Sequence, residues 1–356
     1  MSKMSKIIVA SYNMSFLNDL VMPLEKAQWA SEATFLASNK TGDRRAFWKN
    51  AADLLLSFLK KNGPRCVVGL QEMNLVTAIG SNTGSDAINN MLARHFPNYI
   101  QVCREIVVNA NQKPALSILF NPNEFGNVRT SAIFDNPKQA GRPLLIVITD
   151  QNYVFANMHG AQDPSKGNER GAFNKSIRDL NVSFLENTVS RYVVENGLSP
   201  EMLKNRIFIM GDFNDRYDGI SQFTVLGKDL NYRGMAPYSC CNSWVSTCSK
   251  SRFTSFGNGY GICTAPGVTV DDKGMKIPMN GEEANTKNYR FKGDKLYGET
   301  PVTSIKMFAG KNGKGDSIES DHQLVYATYS TKVGKSTRAN RSVNSNNRTR
   351  SATSSR

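Results

Sequence analysis

Three things are scarce in this chain: histidine, with three residues; acidic charge, with 30 Asp and Glu against 44 Lys and Arg; and long apolar runs. The last shortage excludes a membrane-spanning helix, which needs about 20 apolar residues in a row. The opening Met1-Ser2-Lys3-Met4-Ser5-Lys6 leads into the brief apolar stretch Ile7 to Ala10, too short and too soon interrupted for a signal peptide. An intracellular protein is therefore expected, cytoplasmic or nuclear and not secreted. Its six cysteines are expected to be free thiols. Cys240, Cys241, Cys248 and Cys263 crowd into 24 residues, yet two adjacent cysteines with no histidine nearby match no usual zinc spacing.

The shortage of acid leaves a net charge of +14, which favours an anionic substrate. Half of it, +7, lies in residues 331–356, where Lys332, Lys335, Arg338, Arg341, Arg348, Arg350 and Arg356 meet no Asp or Glu. Fourteen of those 26 residues are Ser, Thr or Asn. Such a segment buries too little to offset the entropy of ordering, so it is predicted to be a disordered tail. It reads either as a solvated appendage or as a grip on nucleic acid or an anionic membrane. Residues 1–330 are expected to form one catalytic domain.

Periodicity outlines that domain. Lys6 to Asn13 predicts a first strand, and Phe47, Ala51, Leu54, Leu55, Phe58 and Leu59 predict an amphipathic helix over 44–62 that stops at Gly63-Pro64. Short apolar runs predict strands at 66–70, 99–108, 115–120, 129–134, 144–149, 153–158, 206–210, 302–308 and 323–329. Asp150-Gln151-Asn152 predicts a hairpin turn. Helices are predicted near 85–95 and over Lys175 to Glu195, the second closed by Asn196-Gly197. From about 231 to 290 the periodicity fails, and this irregular insertion and the 15–43 segment are the expected places for substrate selection.

Four polar strings stand in order along the chain: Gly69-Leu70-Gln71-Glu72, Asn157-Met158-His159, Gly211-Asp212-Phe213-Asn214 and Ser320-Asp321-His322. Most of them end an apolar run. Strand ends carrying carboxylates, amides and imidazoles suit Mg²⁺-assisted phosphoryl transfer, which needs hard oxygen ligands and donors beside a phosphate. Glu72 taken singly reads as a turn or capping acid. The repetition argues otherwise, because a given four-residue string arises by chance only about 0.002 times in a chain of this length. Two of the three histidines fall in these strings, whereas His95 sits on a predicted helix beside Phe96-Pro97 and reads as a packed or surface residue. Gly334-Lys335-Ser336-Thr337 looks like the end of a P-loop, but Tyr329 stands where its leading glycine belongs.

Together with Ser11-Tyr12-Asn13-Met14 and Asp294-Lys295-Leu296, these strings resemble the endonuclease/exonuclease/phosphatase superfamily over roughly residues 6–330. The resemblance implies the DNase I-like α+β fold, a four-layer α/β sandwich of two largely antiparallel mixed sheets packed face to face with helices outside. It implies Mg²⁺, or Mn²⁺, held by Glu72 with Asn13 beside it and Asp321 helping. It further implies that Asp212 acts as base on water, that Asn214, His159 and His322 bind phosphoryl oxygens, and that Asp294 hydrogen-bonds His322. His159 after Asn157 resembles the DNase I, sphingomyelinase, deadenylase and inositol-polyphosphate 5-phosphatase branches. Asp215-Arg216 resembles the last of these, but Lys292-Gly293-Asp294-Lys295 replaces that branch's Trp/Cys-Asp-Arg string.

The expected activity is hydrolysis of phosphate esters, foremost nucleic-acid phosphodiesters. The alternatives are an inositol-phosphate or phosphoinositide phosphatase, or a sphingomyelinase-like phosphodiesterase. A silent basic binding module is a third reading. It requires ligand loss, whereas Glu72, Asp212, Asn214 and His322 are all present.

Overall fold

The computed structural model describes residues 4–14, 44–73, 84–108, 113–161, 175–214, 220, 222–231, 269–270, 276–277, 293–300, 305–308, 322 and 324–332. Two pairs of parallel strands organise them. β1 (Met4–Asn13) and β2 (Cys66–Met73) run from Ile8 opposite Cys66 to Asn13 opposite Gln71. β7 (Val154–His159) and β8 (Ile207–Asp212) run from Val154 opposite Ile207 to His159 opposite Asp212. Parallel neighbours need a long crossover, usually helical. Here α1 (Arg44–Asn62) lies between the first two strands and α4 (Lys175–Glu195) between the second two.

Antiparallel strands extend each pair into a sheet. The first sheet has the order β14-β15-β1-β2-β4-β3, with β3 Ile100–Glu105, β4 Ala115–Phe120, β14 Lys306–Met307 and β15 Val325–Lys332. The second has the order β5-β6-β7-β8-β13-β10-β9. Its outer strands are β5 Val128–Phe134, β6 Leu144–Thr149, β9 Gln222–Val225, β10 Lys228–Asn231 and β13 Asp294–Gly298. A separate two-stranded ribbon joins β11 (Thr269–Val270) to β12 (Lys276–Ile277). Most of the predicted insertion, and the predicted tail beyond Lys332, lie outside the described residues.

Alternation along the strands builds the layers. Ile7 and Val9 of β1 and Val67 of β2 face the second sheet, where they join Phe155, Phe208 and Met210 in a core between the sheets. Ala10, Tyr12, Cys66, Val68 and Leu70 face the other way, onto Ala51, Leu54, Leu55, Phe58 and Leu59 of α1 and Ile88, Met91 and Leu92 of α2 (Gly84–His95). Leu185, Val189 and Val193 of α4 cover the outer face of the second sheet. The four-layer sandwich with helices outside is therefore the observed fold. Phe58 is fully buried against Phe308 and Tyr326, and truncating such a phenylalanine to alanine costs about 3–5 kcal/mol.

The predicted strands and long helices are present, with bounds shifted by a few residues. β15 runs to Lys332, pairing Met4 with Lys332. Unpredicted pieces are β13, the β9–β10 hairpin, the β11–β12 ribbon within the expected irregular insertion, the one-turn helix α3 (Pro122–Phe125) and a 3₁₀ turn at Pro200–Leu203. The predicted 302–308 strand is described only as Lys306–Met307.

Candidate active site

The two parallel pairs end at the same place. Asn13, Glu72, His159 and Asp212 lie at or next to the last residues of β1, β2, β7 and β8. Strands antiparallel to these begin there: Asp294 opens β13 opposite Asp212, and His322 precedes β15, whose Val325 pairs with Ser11. Strand ends 199 residues apart in sequence thus meet, as Asn13 Nδ2 donates to both Glu72 Oε1 and Asp212 Oδ2 at 3.2 Å.

Most of these side chains arrive by strict alternation. Glu72 does not. Val67, Gly69 and Gln71 face the second sheet, so an unbroken strand would aim Glu72 at the helices with Leu70. The pairing of β2 with β4 slips between Leu70 and Met73, and Glu72 takes a left-handed backbone with φ +52°. Such a bulge re-aims a side chain at a small conformational cost. Gly69 is needed beneath it, since a Cβ there would lie 2.4 Å from Met210 Cγ and 2.9 Å from Asn157 Cγ.

Three linked groups surround the carboxylates. His322 Nδ1 lies 2.9 Å from Asp294 Oδ2, and its Nε2 faces Asp212 Oδ2 at 3.6 Å. His159 Nε2 lies 3.6 Å from Glu72 Oε1 and 3.9 Å from Asp212 Oδ2. Arg142 Nη1 is 2.5 Å from that same Nε2, and because a guanidinium only donates, the imidazole nitrogen accepts. Asn214, with φ +51°, donates its backbone N–H to Asp212 Oδ1 at 2.9 Å and its amide to Gly160 O at 2.8 Å.

These contacts set the charge states. Burial, then the Arg142 guanidinium, hold the His159 pKa down at about 3 against the pull of Asp212, so the ring is neutral at neutral pH. Burial raises the Asp212 carboxyl, but His322, His159, the Asn214 N–H and the Asn13 amide together outweigh it and hold its pKa below the ordinary value. Lost hydration lowers the Arg142 pKa, opposed by Glu72 and Asp212. Asp212 is thus a buried anion.

The Glu72 carboxylate beside the Asn13 amide offers hard oxygen donors of the kind that suit a divalent cation. Asp212, Asp294 and His322 form another group, their ligand atoms within 4.8 Å of one another. There the His322 ring already lies between the two carboxylates and occupies the place of an ion. Of the predicted site residues, Asn13, Glu72, His159, Asp212, Asn214, Asp294 and His322 come together, and Asp321 lies outside the described residues.

Sequence reasoning missed Arg142. Its string, Gly141-Arg142-Pro143, carries no distinctive pattern, but hairpin register would have found it. Counting back from the Asp150-Gln151-Asn152 turn pairs Leu144 with Met158 and sets Pro143 beside His159, where Pro143 O accepts the His159 N–H at 2.9 Å. Asp135 then folds the loop inward, accepting the N–H groups of Asn136, Gly141 and Arg142 at 2.9–3.2 Å. Asn181 of α4 was missed too. Its amide bonds both Ala161 N and O and also Phe213 O, tying together the segments that follow β7 and β8.

No protein-family model matches the sequence, and no curated protein matches it. Solved structures do resemble this one. An endonuclease/exonuclease/phosphatase from Bacteroides vulgatus aligns over 91% of this chain and 98% of its own, with 12% identity and a TM-score of 0.49. D. rerio TDP2 complexed with a single-strand DNA product aligns over 92% and 100%, with 18% identity and a TM-score of 0.43. Beta toxin from Staphylococcus aureus aligns over 91% and 100%, with 12% identity and a TM-score of 0.45. Among the described residues, no helix is long and apolar enough to cross a membrane.

Proposed function

We propose that this protein is a divalent-metal-dependent phosphoesterase and, within that class, a Mg²⁺-dependent phosphodiesterase acting on nucleic acid. The observation that carries the reading is the meeting of Glu72 and Asp212 on the Asn13 amide, flanked by Arg142–His159 on one side and Asp294–His322 on the other. Glu72, with Asn13 beside it and Asp321 helping, would hold Mg²⁺ or Mn²⁺. When bound, that ion supplies positive charge to the phosphoryl oxygens and the leaving group.

The chain's own groups do the rest. Asp212 aligns the attacking water and takes its proton as the water oxygen bonds to phosphorus and the ester P–O bond breaks, the departing oxygen taking a proton from solvent, so no covalent nucleophile is needed. Arg142 offers N–H donors to the non-bridging oxygens, and neutral His159 fixes the guanidinium by accepting a hydrogen bond from one of its N–H groups. Asp294 aims His322 by holding Nδ1, which leaves Nε2 turned toward Asp212 and the reacting centre. Asn214 steadies the Asp212 carboxylate through its backbone N–H and stands beside the phosphoryl position.

The basic segment 331–356 would hold a polyanion near the site. Deleting 333–356 is expected to flatten the salt dependence of nucleic-acid binding while leaving hydrolysis of a small soluble ester unchanged. The test of the activity is purified protein with Mg²⁺ against single- and double-stranded DNA and RNA, phosphoinositides and sphingomyelin, with Asp212→Asn as control. Cleavage of nucleic acid that the variant lacks supports the reading. Phosphate release from phosphoinositides alone moves the assignment to the phosphatase alternative, and inertness toward every substrate overturns it.

A further inference from the structure

Beneath the site, between the two sheets, an apolar core gives way to amides. Gln71 and Asn157 are both fully buried. Gln71 Nε2 donates to Asn157 Oδ1 at 2.5 Å, and Ser11 Oγ donates to Gln71 Oε1 at 3.3 Å. Asn157 Nδ2, reaching from the second sheet, donates to Leu70 O at 2.8 Å and Ser117 O at 2.9 Å in the first. Gln101 Nε2 completes the layer on Ser117 Oγ at 2.8 Å.

The two carbonyls that Asn157 holds have a particular place. Leu70 and Ser117 are the last regular pair of β2 and β4 before the register slips, so Gln71 and Glu72 together stand opposite Leu116. The left-handed residue inside that slip is Glu72. A buried amide is costly unless its groups are paired. This one is paired to the backbone at the foot of the bulge and to the side chain immediately before Glu72. Asn157 also lies two residues before His159 on the same face of β7, so the bridge joins the strand that aims Glu72 to the strand that carries His159.

We propose that Asn157, assisted by Gln71, is a positioning residue for Glu72: the amide bridge across the sandwich clamps the bulge that turns this carboxylate toward the site. The inference rests on the reading of Glu72 as a ligand to a divalent ion. It assigns Asn157 no contact with metal or substrate.

Mn²⁺ binding to the full chain, followed by the electron paramagnetic resonance of the free ion, tests both readings separately. Wild-type binding that Glu72→Gln weakens supports the functional reading, and its absence overturns that reading first. Given such binding, Asn157→Ala is expected to weaken Mn²⁺ affinity about tenfold, and Gln71→Met, which leaves the backbone bonds of Asn157 intact, by a smaller factor. Val189→Ala on α4 removes core packing elsewhere; it is expected to lower the melting temperature and leave Mn²⁺ affinity unchanged. In a Glu72→Gln background, Asn157→Ala is expected to have no further effect. The proposal is overturned if Asn157→Ala binds Mn²⁺ like the wild type, if Val189→Ala weakens it equally, or if the Glu72 and Asn157 effects simply add. Should Asn157→Ala fail to fold, Gln71→Met carries the same three comparisons.

Discussion

At the end of β8 the chain stays on its alternating course and Asp212 points between the sheets with Phe208 and Met210. At the end of β2 alternation breaks, and Glu72 reaches the same place through a slipped register and a φ of +52°. Both strands are parallel neighbours at the middle of a sheet, and both end in a carboxylate. The difference is in what holds each one. Asp212 is fixed by its strand, by the Asn214 N–H and by Asn13, and its charge is favoured by His322 and by those two hydrogen bonds. The aim of Glu72 depends on a local irregularity supported from the opposite sheet.

The sharpest way to break this comparison is Asp212→Asn, which keeps shape and removes basicity. Turnover is expected to fall by about 10³-fold with the circular dichroism spectrum and Mn²⁺ binding little changed. Activity within tenfold of the wild type would remove Asp212 from the role of base. Arg142→Ala should come next, with a loss of about 10²-fold in kcat/KM. Arg142→Lys, which keeps the charge but not the fork of donors, should recover only part of it; full recovery would mean that charge alone matters. Glu72→Gln is expected to raise the Mg²⁺ needed for half-maximal rate about tenfold, and an identical metal titration would argue against ligation.

A separate prediction concerns acid. His159 is buried neutral with its pKa pushed down to about 3, below the ordinary 6.5. Between those values the unfolded chain binds a proton that the folded chain refuses, so stability falls as pH drops from 6.5 toward 3, by up to about 1.4 kcal/mol per pH unit. Urea unfolding of the metal-free protein should show that slope, and His159→Gln should reduce it. An unchanged slope in the variant would place the titration elsewhere.

Much of this was legible in the linear order of residues. β-branched runs ending in Glu72, His159 and Asp212 announced strands that carry polar tips, and the spacing of Ala51, Leu54, Leu55, Phe58 and Leu59 announced the helix over them. Register was harder to read. Arg142 stands out in no local pattern, and only the pairing of β6 with β7 sets it beside His159. Nor does anything near Asn181 in the sequence indicate that its amide ties the segments after β7 and β8. The β9–β10 hairpin escaped because its strands have four residues each, too few for a period to show.

What the sequence determined by itself is which polar residues stand at strand ends, because apolar runs and the polar residues that stop them are local features. Tertiary structure alone decided that these ends coincide and that Glu72 leaves its strand's course to join them. The reason is physical: each of those facts depends on pairing between strands distant along the chain, and the free energy of such pairing belongs to no single segment.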